Sequence, residues 1–305
     1  MPARILDGKL IRDQILSELT AVVATLADRG KRPGLVAVLV GEDPASRIYV
    51  RNKILACEKI GLFSETLRPP AETTTEELLA IVAELNGRDD VDGILVQLPL
   101  PPQIDAGRVL TAIAPAKDVD GFHPASMGAL ATGRPGLVPC TPAGMIEILK
   151  RSEIPIEGRR AVVLGRSNIV GKPVALLLLG ENATVTVCHS RSRDLPAIAR
   201  EADILVAALG RPAMVTDDYI KPGATVLDVG INRISDASEA ERIFGMRPKK
   251  LERFREKGSL LIGDVDPVAA EEVAGAYTPV PGGVGPLTIA MLMSNTVRAA
   301  KLRRG

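Results

Sequence analysis

The chain has no tryptophan, three tyrosines and four phenylalanines, so aromatic residues make up only 2% of its 305 positions. This composition provides no aromatic and basic cluster on which the bases of a nucleic acid could stack. The 38 basic and 37 acidic residues give a formal net charge of +1, so no overall field favours nucleic acid or an anionic membrane. We therefore expect no nucleic-acid partner.

Cysteine and histidine are also scarce. Cys57, Cys140 and Cys188 show no C-x-x-C spacing, and an odd count argues against a disulfide framework. His123 and His189 are the two histidines, and neither belongs to a metal-ligand pattern such as H-E-x-x-H. The sequence predicts a protein without a metal site.

Long hydrophobic runs are missing as well. The longest, such as residues 174–179, fall far short of the roughly 18 to 20 residues that a membrane span needs. At the N-terminus the charge of Asp7 precedes any apolar region typical of a secretory signal. We expect a cytoplasmic protein with no membrane partner.

Short apolar runs rich in leucine or β-branched residues alternate with longer segments of helical period. This alternation is typical of an α/β fold with parallel strands. Proline and glycine cluster at residues 115–145, which predicts a junction between two domains, residues 1–140 and 141–284. A helix starting with Thr141 as its N-cap should follow that junction, and another should span residues 285–304. The predicted strands are residues 35–40, 93–97, 161–164, 184–188, 204–207 and 225–229.

Residues 160–175 predict a buried strand, a turn that contains glycine, and an apolar helix. Backbone N–H groups and the helix dipole at such a turn can bind the pyrophosphate of a dinucleotide. The usual G-x-G-x-x-G spacing is altered here. Ser167 takes the place of the second glycine after Gly165, and the next glycine, Gly171, comes one residue late. The pattern favours a nucleotide site, and a plain strand-turn-helix is the alternative.

The strand at residues 184–188 indicates which dinucleotide is preferred. NAD sites usually place Asp or Glu after this strand, whereas serine and arginine follow it here. Arg166, Ser190 and either Arg191 or Arg193 can bind a 2′-phosphate through charge-assisted hydrogen bonds. The sequence therefore favours NADP over NAD, with solvated loop charges as the alternative interpretation of these arginines.

A lysine and a tyrosine share one face of a predicted helix. Asp43 and Pro44 are typical of a helix start, and Gly61 of its end. Tyr49 and Lys53 lie four residues apart inside it, at the edge of its apolar stripe. An amine in this position can serve proton transfer, whereas the structural alternative is a lysine whose alkyl chain packs over the tyrosine.

Three other segments place polar groups on loops. Gln97 ends an apolar strand, and the carboxyl ends of strands are where α/β proteins bind ligands. Asp118 and Asp120 lie on a turn, and residues 278–288 form a rigid loop of proline and glycine that exposes backbone donors. Each of these segments also has an alternative explanation in turn chemistry alone.

Taken together, these segments make the chain similar to the bifunctional methylenetetrahydrofolate dehydrogenase/cyclohydrolase family. The resemblance covers nearly the whole chain, and the altered glycine spacing is the form typical of that family. Leu287 departs from it, since methionine is usual there; the change conserves volume and should cost little. The motifs are Tyr49-x-x-x-Lys53, Val96-Gln-Leu-Pro-Leu-Pro, Lys117-Asp-Val-Asp-Gly-Phe, Pro139-Cys-Thr-Pro, Gly165-Arg-Ser-x-x-Val-Gly-x-Pro, His189-Ser and Pro281-Gly-Gly-Val-Gly-Pro.

The resemblance implies an α/β fold of two domains with a cleft between them. Residues 1–140 plus 285–305 would form an N-terminal folate domain, and residues 141–284 a C-terminal Rossmann-like NADP-binding domain. It further implies a homodimer that oxidises 5,10-methylenetetrahydrofolate to 5,10-methenyltetrahydrofolate with NADP+. The same enzyme would then hydrolyse that product to 10-formyltetrahydrofolate, in one-carbon metabolism and purine biosynthesis.

Residue roles follow from the same resemblance. Lys53 would transfer protons with Gln97 as its hydrogen-bonding partner, Tyr49 would bound the folate ring, and Asp120 would accept hydrogen bonds from the pterin. These four are the implied catalytic residues. The implied cofactor-binding residues are Gly165, Arg166, Ser167, Ser190 and Ile231. The implied substrate-binding residues are Tyr49, Lys53, Val96, Gln97, Leu98, Asp120, Pro281, Gly282 and Gly283.

Two other functions remain open at this point. Another NADP dehydrogenase, acting on a shikimate-like substrate or an amino acid, would explain the nucleotide turn but give Tyr49, Lys53 and Gln97 no shared task. A non-catalytic nucleotide sensor would bind NADP without needing Lys53. Residues 232–264 are longer than is usual in the family and include a charged helical run at residues 247–257, and we interpret the segment as a surface excursion.

Overall fold

The computed structural model describes residues 2–245 and 247–305, and their contacts divide the chain into two units. The six-stranded unit contains the start of the chain up to Ile11 together with Gly144–Leu287. The three-stranded unit contains Arg12–Ala143 and Thr288–Gly305. The N-terminal segment thus groups with the second half of the chain, whereas the sequence analysis places it in the folate domain. The predicted division into a folate and a nucleotide domain stays a prediction.

The elements alternate between strand and helix over most of the described chain. The strands are β1 Arg4–Ile5, β2 Gly34–Val38, β3 Phe63–Leu67, β4 Gly93–Val96, β5 Arg160–Leu164, β6 Thr184–Cys188, β7 Ile204–Ala207, β8 Thr225–Asp228, β9 Asn232–Ile234, β10 Leu260–Ile262 and β11 Ala276–Tyr277. The helices are α1 Gly8–Asp28, α2 Pro44–Ile60, α3 Thr75–Gly87, α4 Ala106–Ala112, α5 Pro124–Ala131, α6 Cys140–Arg151, α7 Gly171–Gly180, α8 Leu195–Ala199, α9 Ala237–Phe244, α10 Pro248–Lys257, α11 Pro267–Val273 and α12 Val284–Arg304, with a 3₁₀ turn at Asp217–Tyr219.

The six-stranded unit is built on a parallel sheet in the order β1-β11-β8-β7-β5-β6. Its inner strands β7 and β8 are buried along their whole length, as expected for parallel strands with both faces covered. β6 forms one edge and is largely exposed. An antiparallel hairpin of β9 and β10 forms a separate small sheet. The α/β class with parallel strands is confirmed.

The three-stranded unit contains a parallel sheet in the order β3-β2-β4. β2 and β4 are completely buried, and Leu78, Val82 and Leu85 of α3 pack in the same hydrophobic cluster. β2 leads into α2, so the carboxyl end of this sheet is next to the helix that carries the candidate lysine. No helix in the described ranges is both long and apolar enough to cross a membrane.

Most predicted elements agree with the structure, and α2 agrees in its caps. The Asp43 carboxylate accepts a hydrogen bond from the Ser46 N–H at 2.7 Å, and Gly61 ends the helix with φ +82°. The predicted N-cap of α6 is wrong, because that helix already begins at Cys140. The Thr141 hydroxyl instead forms a 2.9 Å hydrogen bond with the Thr288 hydroxyl, so it is engaged in a tertiary contact.

The long segment between β9 and β10 is folded, and the predicted helical run at residues 247–257 corresponds to α10. It contains α9 and α10, and their amphipathic faces bury Phe244, Leu251 and Phe254. These side chains form a hydrophobic cluster with Ala213 and Ile262 of the surrounding unit. Alternating charge along the segment reflects one solvated side of each helix rather than a structureless loop.

Candidate active site

The central pair of the candidate site is Lys53 with Gln97, both in the three-stranded unit. The Lys53 side chain comes from the middle of α2 and is only 9% exposed. Its Nζ donates a hydrogen bond to Gln97 Oε1 at 3.0 Å. The amide nitrogen of Gln97 donates to the Leu98 carbonyl at 2.6 Å, which directs the amide oxygen toward the amine. A neutral acceptor therefore orients this buried lysine.

The position of Gln97 follows from the sheet. Its backbone N–H donates to the Val38 carbonyl at 2.9 Å, so the residue continues beyond β4 at the carboxyl end of the sheet. The Val96 side chain is 1% exposed and belongs to the core, which leaves only its backbone available to a ligand. Leu98 is half-buried in the loop that follows. The strand end thus presents one polar side chain, that of Gln97.

Asp120 is electrostatically linked to the same pair. Burial raises the pKa of Asp120 to about 6, and the negative charge of Asp118 adds to this effect, whereas the positive charge of Lys53 opposes it. Asp118 is itself engaged, because its carboxylate accepts hydrogen bonds from the His123 N–H at 2.8 Å and the Ser126 hydroxyl at 3.1 Å. Asp120 is therefore the carboxylate of this turn that is left for a ligand.

The turn that carries Asp120 is fixed on two sides by groups that the sequence analysis did not assign. The buried Lys117 donates to three backbone carbonyls at the end of α3, those of residues 85, 86 and 88, at 2.6 to 3.0 Å. Asn295 of α12 donates to the carbonyls of Val119 and Val138, each at 2.8 Å. Asn295 lies between Ser294 and Thr296 in the sequence, so no local pattern marked it as the residue that makes the second contact.

Tyr49 lies on α2 one turn before Lys53, as its spacing predicts. Its side chain is 47% exposed, so it is accessible to a ligand rather than packed in the core. The structural alternative of a lysine covered by a packed tyrosine is therefore weakened by this exposure. Tyr49 and Lys53 present a flat apolar ring and a buried amine on the same face of one helix.

The phosphate-binding turn of the six-stranded unit depends on two close backbone approaches. Gly165 has φ +120°, and a Cβ at this residue would lie 2.1 Å from the Ala208 carbonyl oxygen. A Cβ at Gly171 would lie 2.3 Å from the Gly165 carbonyl oxygen. Only glycine fits at both positions, which is what a turn that brings backbone N–H groups near a pyrophosphate requires. The residues present fit a dinucleotide.

Ser167, which replaces the second glycine of the usual pattern, has a structural task in this turn. Its hydroxyl accepts hydrogen bonds from the Val170 N–H at 3.1 Å and the Gly171 N–H at 3.2 Å. It therefore caps the start of α7 and compensates for the longer spacing. Arg166 and Ser190 are exposed at the ends of β5 and β6, and Ile231 is 53% exposed after β8.

Two buried aspartates organise the loops around this turn, and sequence reasoning missed them. The Asp228 carboxylate accepts from the N–H groups of residues 230, 264 and 265, each at 2.9 Å. The Asp264 carboxylate accepts from the N–H groups of residues 209, 210 and 211 at 2.5 to 2.9 Å, and from the Asn232 side chain at 2.9 Å. Burial raises the pKa of Asp228 to about 7. These carboxylates fix the segments after β7 and β8.

The loop of Pro281, Gly282 and Gly283 belongs to the six-stranded unit. The Gly282 carbonyl accepts from the Gly8 N–H at 3.0 Å, and the Gly283 N–H donates to the Pro279 carbonyl at 2.7 Å. Gly282 has φ +113°, a conformation open mainly to glycine. The structure therefore groups Lys53, Gln97 and Asp120 in one unit and the proline-glycine loop in the other. Among the described residues, no set of His, Cys, Asp and Glu could hold a metal ion.

A parallel α/β sheet with a glycine turn that fits a dinucleotide, and a second sheet that presents a buried lysine-amide pair, define a nucleotide-dependent enzyme. Residues 6–120 match the family model "Tetrahydrofolate dehydrogenase/cyclohydrolase, catalytic domain". Residues 139–304 match the model "Tetrahydrofolate dehydrogenase/cyclohydrolase, NAD(P)-binding domain". The chain belongs to the tetrahydrofolate dehydrogenase/cyclohydrolase family.

Individual relatives agree over the full length. The chain is 62% identical over 302 residues to the bifunctional protein FolD of Solibacter usitatus, covering 99% of each chain. The crystal structure of the bifunctional enzyme FolD, methylenetetrahydrofolate dehydrogenase/cyclohydrolase, from Campylobacter jejuni is 43% identical with a TM-score of 0.89, covering 99% of each chain. The Trypanosoma brucei dehydrogenase-cyclohydrolase, complexed with NADP cofactor and inhibitor, is 40% identical with a TM-score of 0.88, covering 100% of this chain and 99% of that one.

Proposed function

We propose that the protein oxidises 5,10-methylenetetrahydrofolate to 5,10-methenyltetrahydrofolate with NADP+ and then hydrolyses this product to 10-formyltetrahydrofolate. The observation that carries the proposal is the buried Lys53, held 3.0 Å from the neutral amide of Gln97. Membership of the family and the names of relatives at up to 62% identity support both activities. The protein thus serves the interconversion of one-carbon folates.

Hydrolysis of the methenyl compound requires proton transfers. Water adds to the cationic carbon bridge and loses both of its protons as the formyl group forms: one is released to solvent, and the other is passed to the ring nitrogen that leaves the bridge. Lys53 Nζ is the group that takes up and returns this proton, because it is buried and its hydrogen-bonding partner Gln97 carries no charge. A carboxylate in the place of Gln97 would favour the ammonium form and oppose proton release. The amide therefore orients the amine without fixing its charge.

Folate is held by the remaining side chains of the three-stranded unit. Asp120 accepts hydrogen bonds from the N–H groups of the pterin, a task that the two oxygens of a carboxylate suit. Tyr49 bounds the folate ring with its exposed aromatic face. The backbone of Val96 and Leu98 contributes at the strand end. From the six-stranded unit, Gly282 contributes a backbone N–H, and Pro281 and Gly283 contribute the shape of the loop. These assignments rest on the resemblance together with the burial and hydrogen bonds described above.

When bound, NADP supplies the hydride acceptor of the first reaction. Gly165 and Ser167 would hold its pyrophosphate through the backbone of the turn, and Ile231 would contact its apolar surface. Arg166 and Ser190 would bind the 2′-phosphate that distinguishes NADP from NAD. Hydride transfer depends chiefly on alignment of the reacting groups, so the tasks of these residues are binding and orientation rather than acid-base chemistry.

The proposal is tested by mixing the purified protein with 5,10-methylenetetrahydrofolate and either NADP+ or NAD+. Reduced cofactor and the methenyl compound are followed separately. We expect reduced cofactor mainly with NADP+, and methenyl compound that disappears faster than its spontaneous rate. Reduction without accelerated hydrolysis would exclude the cyclohydrolase. Binding of NADP without either reaction would identify a nucleotide sensor.

We further propose a homodimer that acts in the cytoplasm, with no nucleic-acid or membrane partner. An exposed edge of the six-stranded sheet supports dimer formation: β6 has unpaired backbone groups on one side, and Val187 is 40% exposed. The three cysteines are unpaired and buried, which suits a reducing compartment. Light scattering on the purified protein should give twice the chain mass, and the mass of one chain would exclude the dimer.

A further inference from the structure

The segment between β9 and β10 forms one wall of a cavity of about 620 Å³ within the six-stranded unit. The opposite wall comes from β8, β11 and the residues that follow them, including Pro279 and Val280. Apolar side chains such as Phe244, Leu260 and Val265 contribute to its lining. This volume is typical of small-molecule sites, which range from about 300 to 1,000 Å³. Neither the glycine turn of β5 nor Lys53 contributes to its lining, whereas Pro281 of the proline-glycine loop does.

Charged side chains around the cavity are strongly unbalanced. Five cations line it: Arg233, Arg247, Lys250, Arg253 and Lys257. Two carboxylates, of Asp228 and Glu271, also line it, and both are already engaged. Asp228 accepts three backbone N–H groups, as described above. The lining therefore has an excess of positive charge that its own acids do not neutralise.

Glu271 is paired chiefly with Arg247, whose hydrogen bonds lower the pKa of this carboxyl, and the more distant positive charge of Lys250 acts in the same direction. The Arg247 guanidinium donates to both Glu271 oxygens, at 3.0 and 2.5 Å, and the Tyr277 hydroxyl donates to the same carboxylate at 3.0 Å. Arg247 also donates to the Pro267 carbonyl at 3.1 Å. Arg247 thus joins α10 to α11 and is not available to a ligand.

Of the four remaining cations, Arg233 lies in β9 and donates to the Ser259 hydroxyl at 3.1 Å, and the other three lie along one face of α10. Lys250, Arg253 and Lys257 are spaced by three and four residues, which places them on one side of the helix, while Leu251 and Phe254 enter the core. Within the described part of the chain, none of these three cations has a carboxylate within 4.0 Å. Like charges at this spacing destabilise a helix, so an anion in the cavity would relieve their repulsion.

We propose that this cavity binds an organic polyanion, with Lys250, Arg253 and Lys257 contacting its negative groups and the apolar wall contacting its body. Phosphates and carboxylates share the required chemistry, because lysine and arginine form charge-assisted hydrogen bonds with both. The ligand is a second one, beyond folate and NADP, and Pro281 is the one lining residue that the folate assignment shares.

The test is calorimetric titration of the protein with NADP+ present at saturation, which occupies the dinucleotide site. Tripolyphosphate and citrate distinguish phosphate from carboxylate ligands. Adenosine triphosphate carries the same triphosphate with an adenosine group that could contact the apolar wall. We expect saturable binding of at least one probe at one site per chain, with adenosine triphosphate binding more tightly than tripolyphosphate. Absence of saturable binding for all three probes would overturn the proposal, and equal affinity for the two phosphates would overturn the apolar contact.

A matched pair of variants locates the binding. Lys250→Gln/Arg253→Gln removes two cavity cations, while Lys249→Gln/Arg255→Gln removes one lysine and one arginine from the same helix outside the cavity lining. The first pair should weaken binding at least about tenfold, and the second less than about twofold. Equal losses would show a general charge effect and contradict the site. If the first double variant does not fold, Lys257→Gln alone must still weaken binding more than Lys249→Gln.

Discussion

Candidate functional residues follow both β4 and β5, but the site after β4 is formed by side chains and the site after β5 by backbone. At β4 a site forms from side chains of separate segments: Lys53 from a helix, Gln97 from the strand end and Asp120 from a distant turn. At β5 the turn forms from consecutive backbone, with glycines where a Cβ would meet a carbonyl oxygen 2.1 to 2.3 Å away. We propose that the first arrangement moves protons and that the second holds phosphates. Substitutions at the two ends should therefore separate the two reactions.

Gly165→Ala should produce the largest difference between the loss of oxidation and the loss of hydrolysis. A Cβ at this φ meets the Ala208 carbonyl, so the turn must distort and the backbone donors move. We expect kcat/KM for NADP+-dependent oxidation to fall about 100-fold or more, since strain of this kind costs roughly 1 to 3 kcal/mol before binding is counted. Hydrolysis of methenyltetrahydrofolate should stay within about twofold, because Lys53 and Gln97, to which we assign the proton transfer, belong to the other unit.

The matched control for this prediction is Gly180→Ala at the end of α7, where an added Cβ meets no atom within 4 Å. It should leave both reactions unchanged. Equal losses of oxidation and hydrolysis in the Gly165→Ala protein would mean that the turn supports the fold of the whole chain. Thermal unfolding of both variants distinguishes that case from loss of cofactor binding.

The pH dependence of kcat/KM tests the role of Asp120 in the site after β4. Burial raises its pKa to about 6, so the carboxylate that should accept pterin N–H groups is ionised above pH 6 and becomes protonated below it. We expect kcat/KM for folate to fall about tenfold per pH unit below that value. Asp120→Asn should lower kcat/KM about tenfold or more at neutral pH and remove this limb of the profile. An unchanged limb in the variant would assign the titration to another group.

Arg166→Ala tests cofactor recognition at the turn after β5, and its expected effect is smaller. Loss of a charge-assisted hydrogen bond to the 2′-phosphate should weaken NADP+ binding about tenfold and leave NAD+ binding within about twofold. Arg159→Ala, which removes an exposed arginine just before the opposite end of β5, is the control and should affect neither cofactor. A loss shared equally by NADP+ and NAD+ would show that Arg166 supports the turn without contacting the 2′-phosphate.

The smallest effect is expected for Tyr49→Phe. The variant keeps the aromatic ring that should bound folate and removes only the hydroxyl. Both reactions should stay within about threefold of the wild-type rates, as judged from kcat/KM in the two separate assays. A loss of 100-fold in either reaction would give the hydroxyl a chemical role that the exposed position of Tyr49 does not suggest.

The sequence alone predicts more of the turn after β5 than of the site after β4. Local patterns predicted the β5 turn, β6, β7 and both caps of α2, because strand, turn and capping signals lie within a few residues. The closeness of Lys53 and Gln97 came only from the resemblance to a family, since the residues are 44 positions apart. Their contact is observed, while their roles stay predictions.

The remaining features depend on contacts that no local pattern records. Asp228 and Asp264 accept backbone N–H groups from loops up to 55 residues away, and Asn295 reaches carbonyls more than 150 residues away. In the segment with α9 and α10, the sequence predicted the charged helix at residues 247–257 but not its packing. The apolar face of each helix is short, and both faces pack in a cluster with Ala213 and Ile262 that no local pattern predicts.

The most direct test of the central claim, that Lys53 transfers the proton in ring opening, supplies methenyltetrahydrofolate without any nicotinamide cofactor. Lys53→Gln replaces the amine with an amide that cannot gain or release a proton near neutral pH. Lys59→Gln changes an exposed lysine of the same helix and is the matched control. The account predicts that the Lys53→Gln protein loses methenyl compound no faster than the spontaneous rate, while the Lys59→Gln protein matches wild type. Wild-type hydrolysis by a folded Lys53→Gln protein would contradict it.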